Sequence, residues 1–166
     1  MSKQLVVERA ARAAERFGSA ADAVDAAAAD LLGVNRTDLR ILGAVADGAL
    51  TAGQVAAAVG LSPAAATTAI QRLTARAYLT REPDPDDRRR AVVALTPSAR
   101  RRAEEIYGPV GEAGAGELQR YTVAELTVIA DFLERGRAFQ LAQAERIRGL
   151  VGKAPADEPG VGQALP

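Results

Sequence analysis

The sequence predicts a mainly α-helical chain with one small β-hairpin, on three observations. Alanine is abundant while aromatic residues make up only 4% of the 166 residues, which favours packed helices over a β-rich core. Apolar residues recur at helical spacing through most of the chain. The period changes once, where two short β-type runs flank a polar loop rich in Pro and Asp.

Residues 5–32 read as one long helix. Phe17, Val24 and Leu31 recur at heptad spacing, with Ala13, Ala20 and Ala27 beside them. Such a narrow, alanine-lined seam lets another helix approach closely, and it suits either a monomer core or a dimer interface. Gly33 and Asn35 break the helix. Thr37 is the expected cap of the next one, which carries Leu39, Ile41, Leu42 and Val45 and ends near Asp47-Gly48. Thr51 and Gln54 form a capping box ahead of Val55, Ala56 and Val59, and Gly60 is a natural left-handed stop. Ser62-Pro63 starts a further helix, with Ser as N-cap and Pro at the first helical position, running through Ile70 and Leu73 to about Ala77.

Residues 78–81 and 91–95 are the two strands of the expected hairpin, and residues 82–90 form its extended tip. Thr96-Pro97 repeats the cap-and-proline start and opens a helix that Gly108-Pro109 is expected to kink. Gly111, Gly114 and Gly116 weaken its second half. Thr122 and Glu125 make another capping box for a last helix carrying Leu126, Ile129, Leu133 and Phe139 to about Val151. Residues 153–166 hold Pro, Gly and small residues with little to bury, and are expected to be a disordered tail.

Composition excludes much chemistry. The chain has no histidine, cysteine or tryptophan, so an ordinary zinc site, a thiol nucleophile, a Ser-His-Asp triad and disulfides are all ruled out. A carboxylate enzyme would have to use Asp84, Asp86 or Asp87, exposed tandem acids without a burying pocket. The chain is therefore read as a non-enzyme without cofactor or metal. No apolar run approaches the ~18 residues a membrane span needs, and the N-terminus lacks a signal-peptide core, so a soluble, cytoplasmic protein is expected.

The 21 basic and 21 acidic residues cancel, so charge placement decides. Two short helices joined at a glycine turn and followed by a hairpin compose a winged helix-turn-helix. On its second helix Ala66, Ile70, Leu73 and Ala77 share one narrow face, while Ala64, Thr68 and Gln71, flanked by Thr67 and Arg72, lie opposite without a negative charge. Thr can bond either base type and Gln can pair with adenine. In the hairpin tip Asp84, Asp86 and Asp87 precede Arg88, Arg89 and Arg90; arginine suits a narrow minor groove, and the acids would hold the loop. Over residues 34–96 arginines outnumber acids, and Arg100, Arg101 and Arg102 follow at a helix start, either facing phosphate or as ordinary surface residues.

Leu61-Ser62 through Arg72-Leu73, the wing Asp84-Pro85-Asp86-Asp87-Arg88-Arg89 and the strand Val93-Ala94-Leu95-Thr96 together resemble the multiple-antibiotic-resistance-regulator (MarR) family of transcription factors. The wing pattern is the specific part; the likeness of layout spans residues 5–150. The resemblance implies base-reading positions at Ala64, Ala65, Thr67 and Thr68, an arginine below them at Arg72, and a minor-groove wing at Arg88 to Arg90. Ser62 and Gln71 complete the expected DNA-binding set. Family members usually carry a bulkier or basic residue where this chain has Ala64, Ala65 and Thr68, which shifts weight to the wing and DNA shape. Lack of cysteine removes the family's peroxide-sensing chemistry, and lack of histidine its zinc-sensing chemistry.

The expectation is a ligand-responsive repressor binding a pseudo-palindromic operator in double-stranded DNA as a homodimer, with a small aromatic or phenolic effector. Residues 1–33 and 97–152 would form the dimerisation region, and residues 34–96 the DNA-binding domain. The alternative is a helical dimeric adaptor that ignores DNA.

Overall fold

Ser2 caps the first helix, accepting the Leu5 N–H at 3.4 Å, and α1 (Lys3–Leu32) runs unbroken to Gly33 in the left-handed conformation (φ 61°). The structure, a computed structural model, describes residues 2–84 and 90–151. The chain divides after Gly111 into two units. The first holds α1, α2 (Arg36–Ala44), β1 (Leu50–Thr51), α3 (Ala52–Val59), α4 (Pro63–Ala75), β2 (Leu79–Pro83), β3 (Ala91–Leu95) and the start of α5 (Pro97–Leu118). The second holds the end of α5 and α6 (Val123–Val151). The expected disordered tail lies outside the described residues.

Local chemistry sets most boundaries. The Thr51–Gln54 capping box is present on α3, which stops at Gly60 (φ 70°). Ser62 caps α4 through the Ala65 N–H, with Pro63 opening the helix. Thr96 accepts the Ala99 N–H at the start of α5, and Thr122 and Glu125 close the capping box of α6.

Three expectations change. Asn35, not Thr37, caps α2, because its carboxamide oxygen reaches the Asp38 N–H at 2.8 Å and the helix starts one residue later. The hairpin gains a third strand: β1 pairs antiparallel with β3 (Leu50 opposite Val93), giving the order β1-β3-β2. Two residues are too short to show an alternating pattern. Finally, Ala77 is exposed, not part of the buried face of α4. It adopts φ 58°, a left-handed stop built without glycine, and the Tyr78 N–H closes the motif on the Leu73 carbonyl at 2.9 Å. Because a Cβ is strained there, Ala77→Gly is expected to raise stability by about 1 kcal/mol in urea unfolding.

The core lies among α2, α3, α4 and the sheet. Ile41, Val45, Val55, Ile70 and Leu73 are fully buried, and Leu79, Val93 and Leu95 close the cluster from the sheet. Each large side chain contributes about 2 kcal/mol by leaving water. Only the end of α1 joins this core, through Ala28, Ala29 and Leu32. The heptad seam stays outside: Phe17 is 71% exposed and Leu31 61%. Within the second unit α6 likewise exposes Val128, Phe132, Leu133, Phe139 and Ile147.

Candidate nucleic-acid interface

Helix α4 presents its two faces as its period predicts. Ala66, Ala69, Ile70 and Leu73 are buried, whereas Ser62, Ala64, Ala65, Thr67, Thr68, Gln71 and Arg72 are exposed. The hydroxyl of Thr67 donates to the Pro63 carbonyl at 2.9 Å, and that of Thr68 to Ala64 at 3.1 Å. With those protons committed to the backbone, each exposed threonine keeps acceptor lone pairs and a methyl group for a partner. That combination suits the exocyclic amino groups of adenine and cytosine and the thymine methyl.

Arg72 is differently engaged. Its guanidinium grips Asp38 on α2 in a two-pronged bond, Nε to Oδ2 at 3.0 Å and Nη2 to Oδ1 at 2.5 Å. Asp38, 1% exposed, is the one buried charged residue among those described. The hydrogen bonds it donates to Asp38, and then the carboxylate's charge, raise the Arg72 pKa, so the cation is permanent. The pair fixes α4 against α2, and Arg72 retains 43% side-chain exposure at the edge of the outward face. An open hollow beside it is lined by Asn35, Arg36, Thr37, Leu61, Ala65 and Thr68.

The importance of Asp38 escaped the sequence reading, although a signal existed. It stands at helical spacing from Ile41, Leu42 and Val45, a charge within an apolar stripe.

The wing is described only at its base. The Asp84 N–H donates to the Arg90 carbonyl at 2.9 Å, and the Arg90 guanidinium lies 4.0 Å from the Asp84 carboxylate. Arg90 remains half exposed. Arg88 and Arg89 lie outside the described residues. Of the arginines that open α5, Arg100 donates to the Ala46 carbonyl at 3.0 Å and Arg102 lies 3.7 Å from Glu105.

Behind the core is a cavity of about 250 Å³ with mostly apolar walls, including Leu32, Leu39, Tyr78, Leu95 and Ala99. Asp25, Arg40 and Tyr107 bring polar groups to it. The Tyr107 hydroxyl donates to Asp25 at 3.0 Å. Burial, then that hydrogen bond and the neighbouring charge, push its pKa up to about 12 from an ordinary 10.0. A phenol with a raised folded-state pKa stabilises the fold fully below its unfolded pKa and loses that contribution as pH rises through the folded value. Stability is therefore expected to fall between about pH 10 and pH 12, measured by urea unfolding. Tyr107→Phe should flatten this fall; an unchanged pH profile would refute the assignment.

Comparison with known proteins agrees with this geometry. The family model described as "MarR family" matches residues 32–90. An uncharacterised HTH-type transcriptional regulator of Bacillus subtilis, YcgE, is 31% identical over 123 residues, covering 74% of this chain and 80% of its own. Among solved structures, wild-type MarR from E. coli in its apo form superposes with a TM-score of 0.52 at 20% identity, over 75% of this chain and 94% of that one. BpsR of Bordetella bronchiseptica, whose DNA binding is regulated by 6-hydroxynicotinic acid, gives a TM-score of 0.50 at 25% identity, over 76% and 91%.

Proposed function

Because the chain belongs to the MarR family, whose members are transcriptional regulators and not enzymes, we propose that it is a ligand-responsive repressor acting as a homodimer on a pseudo-palindromic operator. The observation that carries this reading is the outward face of α4. It is exposed, free of negative charge, supplied with threonine acceptors, and held rigid from behind by Asp38 and Arg72. Ser62, Ala64, Ala65, Thr67, Thr68 and Gln71 would face the major groove. Arg72 would meet the backbone at its edge, and Arg88, Arg89 and Arg90 would enter the adjacent minor groove.

Residues 34–96 act as the DNA-binding domain, and residues 1–33 and 97–152 as the dimerisation region. Supporting the latter, α1 exposes Phe17 and Leu31 and α6 exposes Phe132 and Phe139, apolar surface that a second copy would cover. The cavity would receive the effector. Its size, apolar walls and Arg40 suit one small aromatic or phenolic acid, and BpsR shows that a ring acid regulates a relative of this fold. Among the described residues no helix is long and apolar enough to cross a membrane, in keeping with action on cytoplasmic DNA.

Duplexes selected from a random pool, followed by gel shifts over rising salt, test the reading. Binding as a dimer should weaken steeply with salt, log affinity falling by about 0.9 per released phosphate contact for each decade. No duplex binding even at low salt would refute it.

A further inference from the structure

The end of α1 is finished by residues from the end of α4. The left-handed turn at Gly33 satisfies the earlier carbonyls, with Gly33 and Val34 donating to Asp30 and Ala29. It leaves the carbonyls of Leu32 and Gly33, which water would ordinarily solvate. Here the Tyr78 hydroxyl donates to Leu32 at 2.6 Å, while Arg76 donates through Nη1 to Gly33 at 2.7 Å and through Nη2 to Leu32 at 3.3 Å. The Arg76 guanidinium also stacks over the Tyr78 ring, 5.3 Å from its centroid. Helix α1 has no basic residue in its own last turn, so Arg76 supplies the cation its negative end lacks.

The clamp is anchored on its other side. Tyr78 donates its N–H to Leu73 in the last turn of α4 and accepts the Thr96 N–H at 3.0 Å, and the Thr96 hydroxyl holds the Ala77 carbonyl at 2.8 Å. Any swing of α1 relative to α4 must break several of these bonds together.

We propose that Arg76 and Tyr78 are positioning residues that lock the direction of α1 to that of the recognition helix α4, and so set the separation of the two recognition helices in the dimer. This rests on the dimeric DNA-binding reading above, and goes beyond it by naming the joint that fixes operator spacing. Bonds that served stability alone would leave the spacing preference untouched when removed.

Two measurements test it. The chain lacks cysteine, so Ser19→Cys on α1 and Gln71→Cys on α4 accept spin labels cleanly, and dilution with unlabelled protein isolates the distance within one chain. A single narrow distance distribution is expected, broadened or displaced by Arg76→Ala with Tyr78→Phe. The mild variant Tyr78→Phe alone, which keeps the ring, should move it in the same direction. An unchanged distribution in folded protein overturns the proposal.

In the second measurement, unlabelled protein is titrated with its selected duplex and with versions one or two base pairs longer or shorter at the centre. The clamp variants should lose about tenfold on the selected spacing, equivalent to one or two hydrogen bonds, and much less on the others. Equal loss on all spacings, or none, overturns it. A parent protein that selects no duplex would sink the DNA reading, whereas the label distances still judge the clamp.

Discussion

Arg72→Ala is expected to lower the melting midpoint by about 10 °C, the largest effect on stability of any single exposed side chain between α2 and β3. The physical reason lies with its partner. Asp38 is 1% exposed and its carboxylate is held by the two-pronged grip of Arg72, so truncating the arginine strands a buried charge. Asp38→Ala should cost clearly less, because Arg72 is partly exposed and can return its guanidinium to water. Removing both should cost less than the sum, the mark of a direct interaction in a double-mutant cycle. Thermal melts of the three variants decide the matter. A midpoint for Arg72→Ala within about 2 °C of the parent would show that the pair does not fix α4.

Replacing Arg88, Arg89 and Arg90 together by Ala is expected to weaken operator binding at least about a hundredfold at moderate salt. The salt dependence should become shallower by about 0.9 for each phosphate contact given up. Stability should change little, since Arg90 is half exposed and its guanidinium stands 4.0 Å from the Asp84 carboxylate, at the outer limit of an ion pair. The backbone bond from Asp84 to Arg90 that closes the wing is independent of the side chain. Binding isotherms at several salt concentrations, alongside a melt, separate the two effects. Unchanged affinity and slope would favour the adaptor over the repressor.

The helices were legible because their boundaries are local chemistry. Thr51 with Gln54, Ser62 with Pro63, Thr96 with Pro97, and Thr122 with Glu125 each satisfy orphaned backbone donors within one turn, and such pairs read directly from the sequence. The outward and inward faces of α4 were legible too, because a fixed helical period sorts Thr67 and Thr68 from Ile70 and Leu73. The cap of α2 was misassigned: Thr37 was expected, but the helix starts at Arg36 and the Asn35 side chain takes the Asp38 N–H.

The long-range features were not legible. Strand β1 is two residues long and exists only because β3 offers it an edge. Ala77 takes a left-handed conformation that its own side chain opposes, held by Tyr78 and Thr96.

By itself the sequence determined the class of protein: helical, without histidine or cysteine chemistry, carrying a helix-turn-helix followed by a small hairpin. These depend on composition and on contacts within a few residues. Only the tertiary structure decided that Arg72 belongs first to Asp38, that Arg76 and Tyr78 finish α1, and that the Phe17 seam stays uncovered in one chain. Those outcomes join residues tens of positions apart, and the competition among partners for a buried charge or a free carbonyl is settled only when the chain is packed.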